Sequence, residues 1–425
     1  MKLKDKTKIK SSKEEVEFKD RFYELMFEMD QYNKFKKTYL LNILQETNYG
    51  YFAHLYLAPG LSFDDLVSKK AIIEQNLKCL WIMKIEPFKA YAEVQIVLKP
   101  VDESMEYQNP KIKPHELYLG LSFSNQIQKN DNNDNCMFLL AGAIGGGKTR
   151  FIYQVLLSWI LGCSADEVWI YLSDIAKNEY IQFKNVKHVK YYASEIEELY
   201  TMMESISKEF NRRKKLITQY REKGIATNIS EYNKINKSNK LPYCYIAIDE
   251  FSVVLPDKTD SKEEKQIKEF ILDTLKRLSK LGRSLGMFTF IATQKTTRDE
   301  MPSIIKNMSA VRISFRANDL ISSEVIMGNN SAVGLPPRVA VYSTNGGSST
   351  NYLYSPKLTM TMLKELIKPH MKGEQKVVGS KNKSTTEFGA LSEAKVTTVP
   401  KGMSAREYLK SLKNKNVEED EYIDY

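Results

Sequence analysis

Cysteine and histidine are scarce, with four of each in 425 residues. Cys79, Cys136, Cys163 and Cys244 lie far apart, form no C-x-x-C pair and sit in apolar surroundings. That argues against a disulfide framework and a zinc site, and leaves buried, reduced thiols as the expectation. His54, His115, His188 and His370 are scattered, so they read as structural or surface residues rather than ligands. Long apolar runs are missing too. The stretches Phe151–Leu161 and Met287–Ala292 fall short of the ~20 residues a helix needs to cross a bilayer. The N-terminus is basic but no apolar core follows it, which argues against a secretory signal. A cytoplasmic protein is expected, recruited to the inner face of the membrane by a partner if at all.

What is present is a folded balance: 27% charged, 42% hydrophobic and a net charge of +10. At ~150 residues per domain the length suggests roughly two or three domains. Residues 1–45 read as an N-terminal helical segment, with Phe22, Leu25, Met26 and Met29 at helical spacing. Residues 46–135 read as a small α/β domain. Its strands are expected at Tyr51–Leu57 and Ala92–Leu98, and a helix between them runs from Ser62 to about Leu80. From Cys136 to about 368, short apolar strands alternate with longer helical stretches: 136–141, 168–173, 243–248, 287–293 and 310–315 are the strands. That pattern predicts an α/β fold with a mainly parallel sheet covered on both faces. Residues 369–425 read as a flexible polar tail, acidic at its end through Glu418, Glu419, Asp420, Glu421 and Asp424.

The chemistry concentrates after the first of these apolar strands. Gly142, Ala143, Ile144, Gly145, Gly146, Gly147, Lys148 and Thr149 fit G-x-x-x-x-G-K-[ST], between an expected strand and an expected helix. Glycines let backbone N–H groups wrap phosphates, and the helix N-terminus adds positive potential. Lys148 is expected at the β- and γ-phosphates of ATP, and the Thr149 hydroxyl at Mg²⁺. The strand Ile246–Ile248 ends in Asp249 and Glu250. Asp249 is expected to hold Mg²⁺ through water and Glu250 to polarise the attacking water, so the pair favours hydrolysis over simple binding. At the end of the next strand, Gln294 is placed to sense the γ-phosphate or orient water.

With these residues in order, the chain resembles the FtsK/SpoIIIE family of DNA-pumping ATPases. The resemblance covers about 50–345 and is carried by LYLAPGLSFDD (55–65), AGAIGGGKT (141–149), the stretch from Met202 to Asn233, PYCYIAIDE (242–250), GRSLG (282–286), ATQ (292–294) and NMSAVRISF (307–315). It departs where the family has Asp-Ser-Arg, since Ile321, Ser322 and Ser323 stand there. Neither N-terminal membrane spans nor a winged-helix module is evident, which points away from chromosome segregation. The chain is more similar to the coupling ATPases of conjugative plasmids and integrative elements of Gram-positive bacteria.

The resemblance implies a RecA-like P-loop ATPase that translocates DNA as a ring, a homo-oligomer and specifically a hexamer, with a relaxase or membrane channel proteins of a transfer system as partners. It also implies an arginine supplied by a neighbouring subunit, for which Arg283, Arg312 and Arg316 are the candidates. DNA in the central pore would face Lys258, Lys262, Lys295, Arg298 and Lys306. The basic run Met202–Lys240 fits either a phosphate-tracking face or a solvated helix. Two rival functions stay open: a secretion-system ATPase acting on proteins, and a coupling or recruitment platform that only binds ATP.

Overall fold

In the computed structural model the described residues are 12–47, 49–86, 88–99, 104–123, 125–175, 178–294, 303–344 and 351–372. They form two compact units. The first takes the chain up to residue 105 together with 121–126 and 351–354, and the second takes 106–120, 127–350 and the chain from 355 on.

The first unit is built on period-two patterning. Strands β1 (Leu40–Thr47), β2 (Gly50–Tyr56), β3 (Leu80–Lys84) and β4 (Tyr91–Val97) form an antiparallel sheet in the order β1-β2-β4-β3. One face of β2 and β4 is buried through Tyr51, Ala53, Leu55, Ala92, Val94 and Ile96. Helix α1 (Lys13–Glu28) lays Phe22, Leu25 and Met26 into the same core, where Phe22 stacks on Trp81 with ring centroids 5.6 Å apart. The described part of the segment set apart as 1–45 is therefore structurally part of this unit, and it also holds the start of β1. The single helix expected from Ser62 to Leu80 is two, α2 (Phe63–Ser68) and α3 (Lys70–Leu77), followed directly by β3. Ser62 caps α2 by accepting from the N–H groups of Asp64 and Asp65.

The second unit carries β5 (Glu116–Leu121), β6 (Ile127–Asp131), β7 (Met137–Ala141), α4 (Lys148–Gly162), β8 (Val168–Ser173), β9 (Val189–Ala193) and α5 (Ile196–Glu222). It continues with α6 (Ile229–Ile235), β10 (Tyr243–Ile248), α7 (Lys262–Leu285), β11 (Met287–Thr293), α8 (Ser303–Met308), β12 (Val311–Ser314), α9 (Leu320–Met327) and β13 (Val339–Ser343). Seven strands adjoin in the order β13-β12-β7-β11-β10-β8-β9. All are parallel except β13, which runs antiparallel to β12. The boundary expected at 135/136 thus falls earlier, because residues 106–120 and 127–135 group with this unit. The tail expected from 369 is described only to residue 372, so its acidic end lies outside the described residues.

The apolar run that proved too short for a membrane is the central helix α4. Phe151, Val155, Leu156, Leu157, Trp159 and Ile160 are all buried, so the helix is enclosed on every side. Trp159 stacks on Tyr245 at 3.7 Å between ring centroids and donates its indole N–H to the Glu116 carbonyl at 2.9 Å. Each such buried side chain is worth roughly 1.5–3 kcal/mol against exposure. Helix α7 instead buries one face, Ile267, Ile271, Leu275 and Leu278, and starts with a capping box between Ser261 and Glu264.

The GRSLG string at the end of α7 has a packing reason. A Cβ on Gly282 would stand 2.3 Å from the Met287 carbonyl oxygen, a backbone atom. Only glycine lets the helix end pass that close to the start of β11. Gly282→Ala is expected to destabilise the second unit by about 1–3 kcal/mol, the usual cost of overpacking. A thermal melt would register it, and an unchanged midpoint would show that the helix end yields freely.

Candidate nucleotide site

Register brings the chemistry together. In the parallel ladder Thr293 of β11 pairs with Ala141 of β7, Ile248 of β10 pairs with Ile291 of β11 and with Ser173 of β8, and Ser314 of β12 pairs with Ala141. Five strands therefore end along one edge of the sheet. The residues that follow them, Gly142, Gln294, Asp249, Asp174 and Phe315, all emerge on that edge. This is where an open α/β sheet places its ligands.

The phosphate loop closes over Phe315. A Cβ on Gly142 would lie 2.8 Å from the Phe315 Cβ, and those at Gly146 and Gly147 would approach the same side chain at 3.3 and 3.2 Å. Phe315 is fully buried and meets Phe151 edge-on at 5.5 Å. The Ala143 N–H donates to the Arg316 carbonyl at 2.9 Å, which ties the loop to the end of β12. The loop is thus pressed against an aromatic floor that excludes a side chain at Gly142. Lys148 opens α4 with its side chain buried.

A cavity of about 220 Å³ lies above the loop, lined among others by Gly145, Lys148, Thr149, Arg150, Glu179 and Gln294. Cavities of about 460 Å³ occur elsewhere, one beside Tyr243 and Lys237 and one beside Arg221 and Arg283. We assign the site to the smaller one, because it alone of the three joins a lysine, a hydroxyl and a glycine-rich loop. Among the described residues no three metal-ligating side chains converge on one point. The donor set, the Thr149 hydroxyl and the Asp249 carboxylate, suits Mg²⁺ that shares its remaining positions with phosphates and water.

The two acids are held differently. Asp249 is buried and accepts from the Ser173 hydroxyl at 3.2 Å. Glu250 is also buried. Its Oε1 accepts from Thr293 Oγ1 at 2.8 Å and from the Ser252 hydroxyl at 3.2 Å, and its Oε2 accepts from the Gln294 N–H at 2.9 Å. The ATQ string is therefore the mount that aims Glu250. Gln294, assigned above by its side chain alone, acts on Glu250 through its main chain while also lining the cavity.

Sequence reasoning missed several residues here. Asp174 follows β8 as Asp249 follows β10, which is a signal that was available. It is fully buried and accepts from the N–H groups of Glu179 and Tyr180 at 2.9 and 2.8 Å and from the Tyr192 hydroxyl at 2.6 Å. Burial pushes its carboxyl above the ordinary range even though these donors pull it down. Glu179 accepts from Thr149 Oγ1 at 2.7 Å. No spacing rule connects those two positions. Phe315 and Thr293 sit inside strings noted above, but their roles are contacts across the sheet.

The candidate arginines separate clearly. Arg312 is buried and donates to the carbonyls of Ser309, Lys306 and Ile326 at 3.1, 2.9 and 3.3 Å. Burial lowers its pKa. It is a structural arginine and is withdrawn as a donor to a neighbour. Arg316 is exposed beside its own phosphate loop. Arg283 is exposed near the end of α7, where the chain enters β11, so it stands at the opposite sheet edge from its own loop. Ser323, at the position of the family's arginine, is buried, donates to the Asn329 carbonyl at 2.6 Å and accepts from the Ala332 N–H at 3.1 Å.

The candidate DNA contacts separate too. Lys258, just before α7, and Lys262, its first residue, are exposed on the edge that carries the loop. Lys306 is half-buried on α8 and donates to the Glu324 carbonyl at 3.3 Å. Lys295 and Arg298 lie outside the described residues. In the basic run, Arg213 is fully buried. It donates to Glu209 at 2.7 Å and to the Leu285 carbonyl at 2.9 Å, and reaches Cys244 Sγ at 3.2 Å. Burial pushes the Glu209 carboxyl up, but Arg212 and Arg213 together bring it below its ordinary value. That part of the run holds α5 to the sheet.

The fold and the candidate site are those of a P-loop nucleotide-binding domain, with the glycine-rich loop, the strand-end acids and Gln294 along one edge of a mainly parallel sheet. Residues 98–298 match the FtsK/SpoIIIE family model. It is 25% identical over 316 residues to the DNA translocase FtsK of Helicobacter pylori strain J99, which covers 72% of this chain and 36% of that protein. The DNA translocase FtsK of Borreliella burgdorferi is 26% identical over 246 residues, 56% of this chain and 29% of that one. The chain spans about a third of the length of these curated relatives. Among solved structures, the pCW3 conjugation coupling protein TcpA, in monomer form with ATPgS, superposes with a TM-score of 0.58 at 18% identity, over 83% of this chain and 99% of that one. EssC from Geobacillus thermodenitrificans (ATPases 2 and 3) gives 0.52 at 18% identity, over 64% and 51%. At these identities the structural matches establish the fold. No helix among the described residues is long and apolar enough to cross a membrane.

Proposed function

We propose that the protein hydrolyses ATP to drive DNA translocation as a ring of like subunits, coupling DNA to a conjugative transfer channel. The observation that carries the hydrolytic part is Glu250. Thr293 and Gln294 hold both of its oxygens at the sheet edge that carries Lys148 and Thr149. A carboxylate fixed in this way is suited to take a proton from an attacking water. Lys148 would hold the terminal phosphates, and Thr149 and Asp249 the Mg²⁺. That ion supplies charge neutralisation at the phosphates. The DNA part rests on the family match, on the relatives' activity and on the net charge of +10. Lys258 and Lys262 are the exposed cations offered for contact.

The test is the ATPase rate with and without DNA, over a range of salt. A rate that rises with DNA and loses the gain as added salt weakens the favourable release of counterions from DNA is the expected result. A rate indifferent to DNA would favour a protein-handling ATPase. For the arginine from a neighbour, Arg283 is the proposed donor because it is exposed at the sheet edge opposite its own loop. Mixing Arg283→Ala with Lys148→Ala subunits should recover activity that neither has alone, since intact sites re-form at mixed interfaces. Recovery with Arg316→Ala in place of Arg283→Ala would reassign the role. An arginine of this kind is worth ~10³–10⁵ in rate.

A further inference from the structure

We propose that Glu179 is a positioning residue for the metal that accompanies the nucleotide, acting through Thr149. This rests on the nucleotide site described above and assigns it a residue outside the G-x-x-x-x-G-K-[ST] and strand-end motifs.

The geometry carries it. Thr149 Oγ1 donates its only proton to Glu179 Oε2 at 2.7 Å. A hydroxyl that ligates Mg²⁺ does so through an oxygen lone pair, so its proton must point elsewhere. Glu179 takes that proton and thereby turns a lone pair of Thr149 away from itself, with both residues on the wall of the cavity that holds Lys148. The carboxylate also adds negative charge close to where a divalent cation would sit, while repelling bare phosphates.

The main chain of Glu179 is held in place. The Glu179 carbonyl accepts from Tyr153 Oη and from the Gln182 amide, both at 2.7 Å. Its N–H donates to the buried Asp174 at 2.9 Å. These bonds all use the main chain. The loop is therefore anchored without the side chain, whose one hydrogen bond among the described residues is the one from Thr149. A side chain needed only to hold the loop would have been built the other way round. Partners that orient metal ligands in this manner change metal affinity by ~10–100-fold when removed.

The experiment measures ATPγS affinity by calorimetry on the full chain, once with Mg²⁺ and once with EDTA. The quantity read is the ratio of the two affinities. Glu179→Gln preserves shape and main-chain bonds but loses the charge, and is expected to lower this ratio about tenfold. Metal-free binding should hold or tighten, because a repulsion is gone. If the Gln variant does not fold, Glu179→Ala is read in the same way. A ratio equal to the parent's overturns the proposal, including the case where both affinities fall together with the melting temperature, as a purely structural role would produce. Lys148→Ala is the companion measurement. If that variant binds ATPγS like the parent, the nucleotide site itself has been misassigned. If it does not bind while Glu179→Gln leaves the ratio unchanged, only the role of Glu179 fails.

Discussion

Lys148→Ala is expected to abolish useful ATP binding. Lys148 is buried at the first turn of α4 and lines the cavity over the phosphate loop. The backbone N–H groups of the loop and the helix N-terminus supply partial charges, but Lys148 supplies a full one. Removing one partner of a desolvated charge pair typically costs ~2–5 kcal/mol, or roughly 30- to 5,000-fold in affinity. The fold should survive, since the loop is held from below by Phe315 and by the bond from Ala143 to Arg316. A calorimetric titration with ATP and a thermal melt on the same sample separate the two effects. Wild-type affinity in the variant would remove the site.

Glu250→Gln is expected to keep ATP binding and lose turnover, by ~10²–10⁴-fold for a general base. The physical case is the pair of bonds that fix its two oxygens. A glutamine retains one oxygen for the Gln294 N–H, and its NH₂ faces the Thr293 hydroxyl, which can rotate to accept. The mount is therefore preserved while the proton acceptor is lost. Single-turnover hydrolysis compared with ATP binding reads this directly. Parent-rate hydrolysis would mean that another group takes the proton. Thr293→Val should give a milder version, because it removes one of the donors to Glu250 and leaves the carboxylate in place.

The contrast between Asp249 and Glu179 shows where reading the sequence stops. Asp249 is visible because it ends an apolar strand, and a strand end in a parallel sheet is a fixed place. Asp174 ends the neighbouring strand in the same way, so the same rule would have found it. Glu179 is five residues further on, in a loop with no periodicity, and its meaning depends on a hydrogen bond to a hydroxyl thirty positions earlier in the chain. Arg312 and Arg213 make the same point in reverse. Arg312 is offered by the resemblance as a donor to a neighbour and Arg213 lies in a run read as a phosphate-tracking face or a solvated helix, yet both are buried and spent on carbonyls, Glu209 or a thiol within their own chain.

The sequence by itself determined the local elements and the phosphate loop. Apolar strands, a capped amphipathic α7 and a glycine loop ahead of a helix all arise from interactions between near neighbours, whose spacing is written along the chain. Tertiary structure decided which strand ends share an edge, which arginines are exposed and which loop reaches Thr149. Those depend on sheet order and register, which bring together residues far apart in sequence. The order β12-β7-β11-β10-β8 follows from how helices cover both faces of the sheet, and no single segment encodes it.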